Sequence, residues 1–140
     1  MAADEIAGKY SKAFEAFRSM LPLMSGKTIA ITGTTSGTGY ITAKEAVSRG
    51  AKVLALNRPS GRAERAIELL EIFCENGGSV QQVDCDLTKF ESVKAAGAQV
   101  MSLCNGSLDA LVCNAGVMMF PEKQTADGFD IQARDPRCTL

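Results

Sequence analysis

The chain has no histidine, and that gap closes several routes to catalysis at once. Neither a Ser-His-Asp nor a Cys-His nucleophile can be assembled from it, and no metal site can use an imidazole ligand. Cysteine is present but unpatterned. Cys74, Cys85, Cys104, Cys113 and Cys138 never fall into a Cys-x-x-Cys pair. They read as reduced packing thiols in a cytosol-like compartment rather than as a metal or redox centre. Long apolar runs are missing as well. None approaches the roughly 20 residues that a membrane span requires. Charge of one sign is also lacking. A net charge of -1 provides no electrostatic footprint for nucleic acid. At the N-terminus Asp4 and Glu5 come early, no small-residue cleavage site follows an apolar run, and Arg and Ser are scarce. That pattern is neither a secretory signal nor a transit peptide, so the expected location is cytoplasmic.

What remains is an alternating pattern. Ile6, Tyr10, Ala13, Phe14, Phe17 and Leu21 recur at helical spacing and predict an amphipathic helix that stops near Pro22. Such a helix caps a domain, or serves as a peripheral membrane contact or a dimer contact. Strands are expected at about Thr28 to Thr32, Lys52 to Leu56, Val80 to Val83 and Asp109 to Cys113. The mixed face of Gln81 and Gln82 places the third at a sheet edge. Helices are expected from about Gly39 to Arg49, from Ser60-Gly61 to Gly77-Gly78, and along Phe90, Val93, Val100 and Cys104. Strand-helix alternation with short connections implies right-handed crossovers and a parallel sheet. The expected class is α/β, the N-terminal half of a doubly wound, Rossmann-like sheet with strand order 3-2-1-4. The 140 residues divide into an N-terminal helix (1-26), an incomplete dinucleotide-binding domain (27-132) and a divergent tail (133-140).

The densest chemical signal is Thr32-Gly33-Thr34-Thr35-Ser36-Gly37-Thr38-Gly39, between the first strand and the first helix. A tight turn into a helix leaves the first backbone N–H groups unpaired, and the helix dipole adds positive charge there. Phosphate binds such a place with few side-chain contacts, and glycine lets the backbone come close. Thr34, Thr35, Ser36 and Thr38 add hydroxyls. No Lys-[Ser/Thr] follows the last glycine, which excludes a nucleoside-triphosphate P-loop. About 20 residues further on, an acid would bind a ribose 2′-OH and favour NAD. Asn57-Arg58 stands there instead, with Arg62 nearby. Guanidinium suits a 2′-phosphate, so NADP is expected ahead of NAD. Asp86, followed by Leu87, can accept from an adenine amino group or cap the third helix with Thr88.

The turn resembles the Thr-Gly-x-x-x-Gly-x-Gly motif of the short-chain dehydrogenase/reductase family. Asn114-Ala115-Gly116 is similar to that family's Asn-Ala-Gly element after the fourth strand, and Asp84-Cys85-Asp86-Leu87-Thr88 to its adenine-site segment. The stretch from Asn114 to Asp130, with Thr125-Ala126-Asp127-Gly128-Phe129, resembles the retinol-dehydrogenase-like subgroup. The resemblance covers about Lys27 to Gln132. It implies cofactor contacts at Gly33, Thr35, Ser36, Gly37, Thr38, Gly39, Asn57, Arg58, Asp86, Leu87, Asn114, Ala115 and Gly116. It also implies hydride transfer between NADP(H) and an alcohol or carbonyl substrate.

In that family a later helix bears a catalytic Tyr-x-x-x-Lys. Here Ala133-Arg134-Asp135-Pro136-Arg137-Cys138-Thr139-Leu140 follows and reads like a frame change, an alternative exon or a gene-model artefact. Tyr40-Ile41-Thr42-Ala43-Lys44 matches the spacing but starts at the phosphate turn, so surface roles are expected for Tyr40 and Lys44. Two other readings stand beside the oxidoreductase fragment: a non-catalytic nucleotide-binding module and a truncated, non-functional product. Without a fifth strand, Leu108, Leu111, Val112 and the run Val117-Met118-Met119-Phe120 border an uncovered apolar edge. Self-association of the isolated chain is the expected result, and a reversible monomeric melt would contradict it.

Overall fold

A computed structural model describes residues 12–117 and 123–131. Ile6, Tyr10, Met118, Met119, Phe120, Cys138 and the divergent tail lie outside the described residues. In chain order the elements are α1 (Lys12–Met20), β1 (Thr28–Thr32), α2 (Gly37–Ser48), β2 (Lys52–Asn57), α3 (Gly61–Glu71), β3 (Ser79–Asp84), α4 (Phe90–Leu103) and β4 (Ala110–Val112). The sheet order is β3-β2-β1-β4 and every pair is parallel. This is the order expected from the strand-helix alternation, with β3 at an edge.

Side chains alternate across the strands, and the two faces feed two cores. Ile31 and Val53 pack with Tyr40, Ala43, Ala46 and Val47 of α2 and with Ala66 and Leu70 of α3. Ala30, Leu54, Leu56 and Val83 pack on the other face with Ala96 and Val100 of α4. The small residues of α2 let its backbone lie close to the sheet. This two-sided burial explains why β1 and β2 read as nearly continuous apolar runs.

Boundaries differ from the sequence reading in three places. The helix after the glycine turn begins at Gly37, because Gly37 to Gly39 already form its first turn. Helix α3 ends at Glu71 instead of the Gly77-Gly78 pair, and turns bonded from Phe73 to Leu70 and from Cys74 to Glu71 follow it. Strand β4 is three residues long, shorter than Asp109 to Cys113. Among the described residues it has a partner on one side only, and Leu111 stays exposed.

Helix α1 docks on the domain through polar groups. The Arg18 Nε donates to Glu45 Oε2 at 2.7 Å, and the Arg49 guanidinium donates to the carbonyls of Arg18 and Leu21, closing the C-terminal end of α1. Phe17 and Met20 remain exposed. Among the described residues, no helix is long and apolar enough to cross a membrane.

The start of β4 is clamped to the start of β1 by Asp109. Its carboxylate accepts from Lys27 Nζ and from the Thr28 amide, both at 2.8 Å, while its own amide donates to Thr28 O. The hydrogen bond from Lys27 is the main reason that the Asp109 carboxyl is held below its ordinary value, with the Thr28 amide helping. The same bond raises the Lys27 ammonium above its own. A lowered carboxyl stabilises the fold above its unfolded pKa and loses that contribution as pH falls through the folded value. A raised lysine contributes below its unfolded pKa and loses this as pH rises past the folded value. The clamp therefore acts in full across the neutral range. Asp109→Asn should lower the melting temperature near neutral pH, and the gap from the parent should close as pH falls below 3.8. Thermal melts of both proteins across that range measure it, and a gap that persists in acid would contradict it.

Candidate functional site

The glycine turn sits at the carboxyl end of β1, beside the end of β4, where the strand order reverses. Two of its glycines are demanded by space. At Gly33, φ is +74° and a Cβ would stand 2.9 Å from Ala115 Cα. At Gly39 a Cβ would stand 2.2 Å from Gly33 O and 2.3 Å from Asn114 Nδ2, closer than atoms tolerate. Gly37 and Gly116 differ, since nothing lies within 4 Å of a Cβ built at either. The turn is thus packed tightly on its inner side and open on its outer side.

Two asparagines hold that shape. The Asn114 Nδ2 donates to the carbonyls of Thr32 and Gly33 at 3.0 and 3.1 Å. The Thr32 hydroxyl accepts from the amides of Asn114 and Ala115. From the other side, Asn57 Oδ1 accepts from the Thr34 amide at 2.9 Å, and its Nδ2 donates to Thr34 Oγ1 at 2.8 Å. Asn57 is buried, so its side chain braces the turn from beneath. By sequence position Asn57 groups with Arg58 as a direct cofactor contact, and no local pattern signals its pairing with Thr34.

The first turn of α2 leaves its amides free by helix geometry. Ser36 occupies the N-cap position with extended backbone, yet its side chain makes no cap bond. Its hydroxyl accepts instead from Arg62 Nη2 at 2.6 Å. Ser60, by contrast, caps α3 in the ordinary way by accepting from the Ala63 amide. Arg58 is exposed at the end of β2. Beyond β3, Asp86 Oδ1 accepts from the amide and hydroxyl of Thr88 at 3.0 and 2.7 Å. Burial pushes the Asp86 carboxyl up, but those two bonds, with the charges of Arg58 and Lys89, outweigh it and hold the carboxyl below its ordinary value. Asp86 is therefore an anion at neutral pH. Leu87 packs against the α4 core.

The N-terminus of α4 is capped from a distance. The Phe90 amide donates to Asp127 Oδ2 at 3.0 Å, and the Phe90 and Phe129 rings meet edge to face at 5.7 Å. By sequence position Asp86 is a candidate for this cap. Asp86 instead closes a local turn with Thr88, one turn upstream of the helix. Asp127 belongs to a hairpin-like segment in which Gln124 bridges Asp130.

Surface roles for Tyr40 and Lys44 are not what the structure shows. Tyr40 is 5% exposed in the α2 core, and Lys44 is buried with its Nζ 4.1 Å from the centre of the Phe73 ring. Helix α2 lies flat on the sheet, so both positions face inward. The cysteines also differ among themselves. Cys85 and Cys104 are buried packing thiols and Cys74 is half-buried, whereas Cys113 is exposed at the end of β4. Among the described residues no cluster of ligating side chains could hold a metal.

A parallel sheet of this order, with an uncapped helix N-terminus and a braced glycine turn at its switch point, defines a dinucleotide-binding module of the Rossmann type. A model of the short chain dehydrogenase family matches residues 27–133. The chain is 37% identical over 119 residues to retinol dehydrogenase 14 of Mus musculus, covering 79% of this chain and 35% of that protein. The structure of a short-chain type dehydrogenase/reductase from Mycobacterium ulcerans superposes with a TM-score of 0.65 at 27% identity, over 76% of this chain and 38% of that one. L-sorbose reductase from Gluconobacter frateurii, solved with NADPH and L-sorbose, gives a TM-score of 0.60 at 27% identity, over 81% and 41% of the two chains. The chain belongs to the short-chain dehydrogenase family, and over this part it is retinol-dehydrogenase-like. It spans about a third of the length of the curated relatives it matches.

The packing makes a direct prediction. Gly39→Ala should destabilise the fold by about 1–3 kcal/mol, because Gly33 O and Asn114 must move. Gly116→Ala, in open space, should stay within about 0.5 kcal/mol of the parent. Urea denaturation midpoints compare them, and equal effects would refute the reading of the turn.

Proposed function

We propose that this chain is the NADP-binding part of an oxidoreductase that transfers hydride between NADP(H) and an alcohol or carbonyl substrate. The observation that supports NADP over NAD is the exposed Arg58 at the end of β2, where an acid would select the ribose 2′-OH. The outer side of the turn fits a pyrophosphate, since no Cβ stands at Gly37 and the α2 amides point outward. Gly33, Thr35, Ser36, Gly37, Thr38 and Gly39 would line the pyrophosphate and Arg58 the 2′-phosphate. Asp86 and Leu87 would flank the adenine, and Ala115 and Gly116 the far wall. Asn57 and Asn114 act by holding the turn. The bound dinucleotide would supply the hydride chemistry of the family.

The 140 residues contain two tyrosines, Tyr10 and Tyr40, and both precede β2. Tyr40 is in the core. No Tyr-x-x-x-Lys follows β4. Taken alone, the chain is therefore read as binding cofactor without turning it over. This favours a non-catalytic nucleotide-binding role as the second reading for the isolated polypeptide. Fluorescence titration should show NADPH binding tighter than NADH, with Arg58→Ala weakening NADPH by about tenfold and NADH little. NADPH absorbance should stay flat when carbonyl compounds are added. Equal affinity for the two cofactors would sink the NADP preference, and measurable oxidation would sink the reading of inactivity.

A further inference from the structure

The hairpin-like segment of residues 123–131 meets α4 at the end where α4 needs a partner. Lys89 stands at the N-cap position, and a lysine side chain has no acceptor to offer the free amides there. Asp127 supplies the acceptor from 37 positions away, taking the Phe90 amide at 3.0 Å. A carboxylate at that end also suits the helix dipole. The segment is closed on itself by its own bonds. The Thr125 amide donates to Phe129 O at 2.7 Å, the Phe129 amide to Thr125 Oγ1 at 3.2 Å and the Ile131 amide to Lys123 O at 3.0 Å. Asp127 and Phe129 thus reach α4 as one unit, through a hydrogen bond and an edge-to-face ring contact with the same residue, Phe90.

The first turn of α4 in turn holds the residues before it. Ser92 Oγ accepts from the Asp86 amide at 2.9 Å, and the Lys89 amide donates to Asp86 O at 3.0 Å. The Leu87 side chain packs on the α4 core. A continuous path therefore runs from Asp127 through Phe90 and one helical turn to Ser92 and Asp86. We propose that Asp127 is a positioning residue of the cofactor site: docked on α4, it sets the place of Asp86 and Leu87, and through them the affinity for the adenine half of the cofactor. This rests on the reading of Asp86 and Leu87 as the adenine flank, and it names what holds that flank. Asp127 itself touches no part of the cofactor in this arrangement. Coupling of this kind is reciprocal, so adenine binding tightens the docking of the 123–131 segment by the same factor.

The test is titration of the full chain with NADPH, 5′-AMP and inorganic pyrophosphate, the last of which has no adenine. Asp127→Ala should weaken NADPH and 5′-AMP by about fivefold, and pyrophosphate by less than about twofold. Asp127→Asn keeps an acceptor oxygen without the charge and should recover part of the loss. Ser92→Ala should weaken 5′-AMP in the parent and add little in Asp127→Ala, because both residues lie on one path. In hydrogen exchange, 5′-AMP should slow the Phe90 amide of the parent and not that of Asp127→Ala. Circular dichroism at the titration temperature establishes that each variant is folded, and Asp127→Asn carries the comparison if Asp127→Ala is not. A folded Asp127 variant with unchanged 5′-AMP affinity, or with equal losses for 5′-AMP and pyrophosphate, would overturn the positioning role and leave the adenine reading intact. Asp86→Ala binding 5′-AMP as tightly as the parent would overturn the adenine reading, and this inference with it.

Discussion

Asn114 joins the end of β4 to the turn that follows β1, and the geometry of the crevice depends on that junction. One side-chain amide donates to two successive carbonyls, those of Thr32 and Gly33. Both carbonyls lie at the end of β1, where the strand gives way to the turn, and one amide supplies a donor to each. The Thr32 hydroxyl returns the contact by accepting from the amides of Asn114 and Ala115. With the two strand ends tied in this way, Gly39 must lack a side chain, because Gly33 O and Asn114 Nδ2 occupy the place where one would stand. The glycines follow from the brace as much as from any ligand.

Bracing on the inner side leaves the outer side free for chemistry. Thr34 is held by Asn57, and Ser36 is held by Arg62. The α2 amides and the open face at Gly37 are then the groups that remain for an anion. Around them the charges are arranged by sign. Arg58 and Arg62 border the mouth, while the Asp86 anion, steadied by Thr88, sits at the end of β3.

Much of the framework was legible from residue order. The apolar runs Thr28 to Thr32 and Lys52 to Leu56 are strands, and the short connections between them impose a parallel sheet with the order β3-β2-β1-β4. The retinol-dehydrogenase-like character of the segment around Asn114 was also readable. Element ends were less so. Helix α3 stops at Glu71 although no glycine or proline follows until Gly77, because the turn at Phe73 and Cys74 folds those side chains back onto the sheet. Tyr40 and Lys44 looked like surface residues because a polar hydroxyl and an amine carry no signal for a helix that lies flat on a sheet.

The sequence by itself determined the alternation of strands and helices, the position of the glycine turn and the basic residue at the end of β2. These follow from periodicity, backbone preference and spacing, which act over a few residues. Tertiary structure decided which side chains hold the site. Asn57 meets Thr34 across 23 positions, Arg62 meets Ser36 across 26, and Asp127 caps α4 across 37. A still longer contact, between Asn114 and Thr32, spans 82 positions. A hydrogen bond depends on where two groups end up in space, and parallel crossovers bring together residues that no local pattern connects.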